Sequence, residues 1–383
     1  MTLVARSAAV KAAALACGAH AVRIAAAERD AATAARFAAG VARGDVATWS
    51  YDENYARAAS DPSMLLAGAR SVVCIAVAYP RGAPRERSGR GRVSAYAPSP
   101  DYHRRMQTLL RAVAERIDLL AGGTCSRLVC DTAPLAERAF AARAGLGWVG
   151  KHTSLIVKGL GSAVFLGEIV TTLELAPDPP LRTSCGGCAR CVDACPTGAL
   201  RGDYTIDATR CISDLTQRRD AVPHALRPLI GSWVWGCDLC NDACPPNRNA
   251  ARADDPASAP LFEDVAAPDL QSLLRMRGRD FARVRETAMG WRGAAVLRRN
   301  AAIALGNGLD RADVPALTDA LTADGSALVR GHAAWALGRI GSPRALAALR
   351  TARATEADAS VRAEVEAALE PIATAEAFRP VGS

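Results

Sequence analysis

Three patterns of hydrophobic and polar positions follow one another along the chain. Near the N-terminus Val4, Ala8, Ala12 and Leu15 recur at helical spacing, Gly18 stands where that helix would end, and residues 1–43 read as helices. The apolar runs at 71–79 and 163–173 are short and rich in β-branched residues, so they read as buried strands. Between them, Met106 to Leu120 and Leu135 to Ala144 return to helical periodicity. Arg81 to Arg92 is dense in Gly, Pro and Arg and reads as an exposed loop. Helices interleaved with well-separated strands predict an α+β, α/β-like domain over 1–180, and Pro177, Pro179 and Pro180 mark its end. From 181 to 250 periodicity gives way to cysteine, and Asp254 to Pro260 reads as a linker. From 261 to 376 the chain is helical and repetitive. Asn300-Ala-Ala-Ile-Ala-Leu-Gly306 resembles His332-Ala-Ala-Trp-Ala-Leu-Gly338, and Leu305, Leu337 and Leu369 are each 32 residues apart. That period predicts an all-α stack of HEAT-like helix pairs, each too small to bury its own face and together forming a surface for a large partner.

Composition adds class and compartment. Half of the 383 residues are hydrophobic, enough for two or three domains with cores. No apolar run reaches the ~20 residues of a membrane-spanning helix. Arg6, Lys11 and Arg23 interrupt the Ala-rich N-terminus, which lacks the pattern of a signal peptide. The expectation is a cytoplasmic protein without a membrane. The net charge of +8 is carried largely by Arg and favours polyanionic partners, although an Arg-rich chain with ordinary solvated surfaces gives the same balance.

Twelve cysteines without a secretion signal point to metal or redox work rather than disulfides. Cys17, Cys74, Cys125 and Cys130 stand apart and read as small buried hydrophobes. The others form two linked motifs. Cys185-x2-Cys188-x2-Cys191-x3-Cys195-Pro196 has the spacing of bacterial two-cluster ferredoxins, in which three thiolates on one tight loop hold one cubane and the fourth cysteine reaches the other. Gly186-Gly187 permits the tight wrap. Cys237-x2-Cys240-x3-Cys244-Pro245 is the second half with one thiolate missing, and Cys211 supplies it. Cys185, Cys188, Cys191 and Cys244 then hold one [4Fe–4S] cluster, and Cys195, Cys211, Cys237 and Cys240 the other. Zinc in a Cys₄ site is the rival, but eight cysteines with two Cys-Pro crossovers fit paired clusters better. Two clusters make a short electron wire, and the rest of the chain must give its electrons a destination.

Further motifs fall in a fixed order. They are Asp101-Tyr102-His103, Asp131-Thr-Ala-Pro-Leu-Ala-Glu-Arg138, Ala144-Gly-Leu-Gly-Trp-Val-Gly-Lys-His152 and Phe165-Leu-Gly-Glu168. The two half-ferredoxin motifs follow, with Cys211-Ile-Ser213 and Leu226-Arg-Pro-Leu-Ile-Gly231 between them, and then Arg299-Asn-Ala-Ala-Ile-Ala-Leu-Gly-Asn307. In these pieces, over nearly its whole length, the chain resembles the epoxyqueuosine reductases. The resemblance implies a cobalamin-dependent reductase that removes the epoxide oxygen of epoxyqueuosine at the wobble position of tRNA, giving queuosine. Cobalamin rests on the resemblance alone, since Asp101-Tyr-His103 runs on into Arg-Arg-Met106 and completes no Asp-x-His-x-x-Gly motif.

The resemblance makes Asp131 the proton donor, a role that calls for a carboxyl raised by desolvation or a neighbouring negative charge. Its position just ahead of an apolar helix also reads as an N-cap, and the two roles are compatible. Asp101, Tyr102 and Arg138 match substrate-binding positions. Asn54, Lys151, His152, Leu155, Leu166, Ser213 and Leu239 match positions near the corrin, with Leu239 placing the second cluster close to cobalt. Three places depart from the family pattern. Tyr51-Asp-Glu-Asn54 stands where many members have Tyr-Met-x-Arg, Ser94-Ala-Tyr96 replaces Ser-Arg-Tyr, and Asn241 replaces Gln. The expected partners of this monomer are tRNA, held in a salt-sensitive way by Arg275, Arg277, Arg279 and Arg292, and an external electron donor. Two alternatives are a corrinoid iron–sulfur enzyme of the reductive dehalogenase kind and a non-catalytic electron-transfer protein. The repeat tail and positive charge argue against the first, and the long Asp131 to His152 signature against the second.

Overall fold

The computed structural model describes residues 1–48, 51–81, 87–123, 126–248, 250 and 259–370. Its N-terminal part is built on a sheet of four strands, β1 (Ala21–Ala26), β2 (Ser71–Ala78), β4 (Ser126–Val129) and β7 (Val164–Thr171), in the order β1-β2-β7-β4 with every pair antiparallel. Three shorter strands complete the set before the cysteine module, β3 (Arg92–Val93), β5 (Gly147–Val149) and β6 (Leu155–Val157), and β8 (Trp233–Trp235) lies within the module. β2 is buried at every position, as a strand covered on both faces must be. Helices Leu3–Ala16 and Tyr102–Ala121 cover one face through Val73, Ile75, Val77 and Ile169. Helix Glu137–Arg143 covers the other through Val72, Cys74, Ala76 and Val170, with Phe140 at its centre.

Strand β1 corrects the reading of residues 1–43 as helical. Its alanines hide the strand, but Val22 and Ile24 are buried while Arg23 is exposed, and a full register against β2 satisfies its backbone. Helix Tyr102–Ala121 starts earlier than its apolar pattern because Asp101 caps it, accepting the His103 N–H at 3.0 Å. Cys17 is exposed, contrary to expectation, because it follows the last turn of the first helix; Cys74 and Cys130 are buried, and Cys125 lies outside the described residues. The expected linker at 254–260 and the loop at 81–92 fall in part outside them as well. Among the described residues no helix is long and apolar enough to cross a membrane.

The cysteine module contributes helices Arg190–Asp193, Ile212–Gln217 and Leu239–Ala243, and its strand β8 pairs in parallel with β3. One hydrophobic core then runs on without a break, from Ala97 through Ile212, Trp233 and Trp235 into the repeats as far as Val365. In the repeats, helices Ala294–Gly308, Ala327–Ile340 and Ala359–Leu369 pack in succession. The repeated glycine is a packing requirement. A Cβ on Gly306 would lie 2.8 Å from the Ala336 Cα, and one on Gly338 2.8 Å from the Ala368 Cβ. The Arg299-Asn300 pair that opens the motif serves the seam instead of the stack. Arg299 donates to the carbonyls of Asp220, Leu215 and Arg218 at 2.8, 3.0 and 3.2 Å, and Asn300 to those of Thr216 and Val234 at 2.7 and 2.8 Å.

Candidate active site

Asp131 stands on the turn that follows β4, in the left-handed region at φ 60°. Aspartate tolerates this conformation better than most residues, but it still costs on the order of 1 kcal/mol and must be held. Two contacts hold it. The backbone N–H of Asp131 donates to Glu137 Oε1 at 2.7 Å. Its carboxylate, 66 % exposed in the cleft, lies 3.5 Å from His103 Nε2. The other nitrogen of His103, Nδ1, is 2.7 Å from Asp101 Oδ1. An imidazole with a carboxylate at each nitrogen is held as the cation. Its pKa is raised to about 9, Asp131 being the largest cause.

That pair reverses one expectation. The Asp131 carboxyl is lowered, not raised, first by its bond to His103, and Tyr102 adds a further hydrogen bond. Nor does Asp131 cap the helix after it, for the N-cap of Glu137–Arg143 is Ala136 and no side chain bonds there. Tyr102 is sandwiched between Phe165, with ring centroids 4.3 Å apart and planes at 2°, and His103, at 4.2 Å. Tyr51 and Tyr55, with centroids 4.3 Å apart and planes tilted at 35°, complete the surroundings, since the Asp131 charge acts on both phenols.

Arg138 reaches across to the β5–β6 turn and donates to the Thr153 carbonyl at 2.9 Å, tying the half-buried Lys151 and the buried His152 to the same site. His152 accepts the Ser154 N–H at Nδ1, and burial lowers its pKa to about 4, so it is neutral. Asn54 is exposed beside Tyr55 and its side-chain oxygen accepts from Arg57 at 2.6 Å. Leu155 is buried in the sheet core, and Leu166 packs against it. Two buried ring nitrogens on the hairpin, Trp148 Nε1 and His152 Nε2, find no partner among the described residues. Orphaned polar edges of this kind fit a group rimmed with amides, as a corrinoid is.

The structure gathers the eight cysteines into two quartets, legible in which thiols bear on which. Cys244 feels Cys185, Cys191 and Cys188; Cys237 feels Cys240 and Cys211, and Cys240 feels Cys211, Cys195 and, from the other quartet, Cys191. Among the described residues no group of three His, Cys, Asp or Glu side chains is placed to hold a single metal ion. Burial raises the Cys240 thiol to about 12 and the Cys244 thiol to about 11, and pushes Cys237 higher still; iron must displace these protons when a cluster binds. Cys188 is exposed, so the first quartet reaches the surface.

The second quartet faces the cleft through aromatic rings. Half-buried Leu239 opens helix Leu239–Ala243 between Cys237 and Cys240. Cys240 and Asp238 act on Tyr79, whose ring lies 4.7 Å from Phe165, the residue under Tyr102. Tyr96 bridges the same rings to Gln217, which in turn bonds Ser213. The departures from the family pattern are structural latches here. Asp238 accepts the Ser94 hydroxyl and the Ala95 N–H, both at 2.7 Å, so position 95 serves through its backbone. Asn241 accepts the Ser162 hydroxyl at 2.9 Å, and Arg81 pairs with Asp242. Of the four arginines expected to meet nucleic acid, Arg277 pairs with Asp324 at 3.0 Å and Arg275 approaches Asp319 at 3.9 Å; Arg279 is exposed, and Arg292 covers the Trp291 ring at 3.6 Å.

Sequence reasoning did not single out His103, Glu137 or Glu168. Glu168 had a signal, being the lone charge within the apolar run 163–173.

Comparison with known proteins agrees region by region. Residues 60–132 match a family described as epoxyqueuosine reductase QueG, residues 184–247 a 4Fe-4S double cluster binding domain, and residues 293–370 HEAT repeats. An epoxyqueuosine reductase of Lactococcus garvieae is 38% identical over 268 residues, covering 69% of this chain and 76% of that protein. An epoxyqueuosine reductase crystallised with an epoxyqueuosine-modified tRNA-Tyr stem loop superposes with a TM-score of 0.89 at 32% identity, over 94% of this chain and 97% of the other. The Bacillus subtilis enzyme, solved with its catalytic loop swung out of the active site, superposes with a TM-score of 0.87 at 32% identity over the same shares.

Proposed function

The chain belongs to the epoxyqueuosine reductase family, and from that premise we propose how its own residues carry the reaction. It is an oxidoreductase that reduces epoxyqueuosine to queuosine in tRNA, using two [4Fe–4S] clusters and cobalamin. Removing the epoxide oxygen as water takes up two electrons and two protons. When bound, the corrinoid supplies reduced cobalt, a donor strong enough to open an epoxide. The first quartet takes electrons from an external donor, because Cys188 gives it access to the surface; the second hands them on, because it borders the aromatic rings of the cleft.

Asp131 delivers a proton to the leaving oxygen, and His103 replenishes it. The observation that carries this reading is the Asp101–His103–Asp131 chain, with a proton stored 3.5 Å from an exposed carboxylate. Bound substrate excludes water, and a dry cleft disfavours the separated charges of the His103–Asp131 pair, so the proton moves onto Asp131 when it is needed. Tyr102, both of whose ring faces are taken by Phe165 and His103, meets the modified base through its phenol edge, with Asp101 beside it. Arg138 fixes the hairpin of Lys151 and His152 against the cleft; together with Asn54, Leu155, Leu166, Ser213 and Leu239 they line the space for the corrinoid. Exposed Arg279 leads the tRNA contacts, and the chain works as a cytoplasmic monomer.

The test is anaerobic turnover of reconstituted protein with cobalamin, a strong reductant and epoxyqueuosine-bearing tRNA, read by mass spectrometry of the digested nucleosides. Queuosine forms only with cobalamin, and Asp131→Ala lowers its rate by about 100-fold or more. No queuosine from wild-type protein with both clusters intact overturns the reading.

A further inference from the structure

Beneath the Asp131 turn lies a second acidic pair that the steps above do not use. Glu168 sits on β7 opposite Cys74 of β2 on one side and Val129 of β4 on the other, in the centre of the sheet. It is 0 % exposed, and neither carboxyl oxygen meets a donor among the described residues. The surroundings are the apolar core of Val72, Phe140 and Val170. Beside it stands another acid, Glu137, on the first turn of the helix packed against that face. Glu137 is the residue whose Oε1 accepts the Asp131 backbone N–H at 2.7 Å. A fully buried carboxyl in contact with a second, half-buried one keeps a proton between them.

We propose that Glu137 and Glu168 share one proton and together position the Asp131 turn, neutral Glu168 donating its O–H to Glu137 and Glu137 accepting the Asp131 N–H. The pair supplies what an apolar core would not, an acceptor fixed beneath a strained backbone. The groups that bear on it from every packed element leave the proton in place. They are Cys74 from β2, Cys130 and Asp131 from the turn, Tyr55 and Tyr102 from their helices, and Arg138 from the helix of Glu137 itself. Burial raises both carboxyls above the usual range; the charge of Glu137 adds to this at Glu168, and that of Asp131 at Glu137. The proposal rests on Asp131 as the proton donor, and it makes Glu137 and Glu168 positioning residues.

Three variants of the full chain test it: Glu168→Gln, Glu168→Leu and Glu137→Leu. Infrared spectra of wild-type protein at neutral pH contain the carbonyl stretch of a protonated, buried carboxylic acid, and Glu168→Gln removes it. Hydrogen exchange at the Asp131 amide is slow in wild type and in Glu168→Gln, whose amide donates in place of the acid, and fast in both leucine variants. Turnover of epoxyqueuosine tRNA stays within about threefold in Glu168→Gln but falls about tenfold or more in the leucine variants, the effect of losing one well-placed hydrogen bond, while their thermal midpoints hold or rise because leucine suits this core. A protonated-acid band that survives Glu168→Gln overturns the proposal. So does an Asp131 amide that exchanges equally slowly in Glu137→Leu, or leucine variants that lose turnover only as they lose their fold. If wild-type protein makes no queuosine, the assigned reaction fails, while the infrared and exchange results still decide the shared proton.

Discussion

Arg299 and Glu168 are both fully buried ionisable residues, and their surroundings are opposite. Arg299 uses Nε on the Asn300 side chain at 2.7 Å and its other nitrogens on three backbone carbonyls, so its guanidinium is satisfied although burial lowers its pKa to about 9. Glu168 has only a second carboxyl. A buried ionisable group with every partner in place fastens two parts of a fold together, whereas one that lacks them marks where the fold is strained to serve the cleft. Stability should therefore reside at the seam and turnover around Asp131, and each can be lost without the other.

The largest separation comes from Asp131→Asn. Turnover should fall roughly 10²–10⁴-fold while the thermal midpoint drops only by the share that the His103 pairing contributes, because Asn takes the left-handed conformation as readily; loss of the fold would break the contrast. Arg299→Met should do the reverse. Several carbonyls lose their donor, destabilising the chain by about 3–5 kcal/mol in a denaturant melt, and the cluster absorbance of the second quartet should bleach early in that melt. His103→Gln should lower turnover about tenfold and remove the alkaline limb of the pH profile. The folded pKa of His103 is raised from 6.5 to about 9, so its pairing with Asp131 is fully present below 6.5 and is lost as pH rises through about 9. Activity and thermal midpoint between neutral and alkaline pH check this. The smallest effect belongs to Arg277→Gln. The residue is 55 % exposed, so stability should change by less than about 1 kcal/mol, while the salt slope of tRNA binding should fall by about one if it touches phosphate.

The cysteine spacing and the Ala-Leu-Gly period were legible because each repeats a local geometric need: a loop tight enough to reach one cubane, and a helix crossing too close for a Cβ. Strand β1 was not legible, since its alanines carry no strand signal and only the edge of β2 makes it one. The charge state of Asp131 was hidden for a related reason. The role of proton donor calls for a raised carboxyl, but the group that decides is His103, brought in by a helix from elsewhere in the chain. Glu168 stood out as a charge in an apolar run, yet Glu137 becomes its partner only when a helix packs across the sheet. Arg299-Asn300 read as part of a repeat, and the structure turns both residues outward to the cysteine module.

That last feature bears on biogenesis. Three of the carbonyls that Arg299 and Asn300 hold belong to helix Ile212–Gln217, which begins directly after Cys211, and to β8, which ends two residues before Cys237. A ribosome that has just released Cys244 has presented every thiolate, but not the two residues that fasten their scaffold. Maturation of the second cluster therefore belongs after synthesis has passed Asn300, and truncated nascent chains would offer iron an open, loosely held set of ligands.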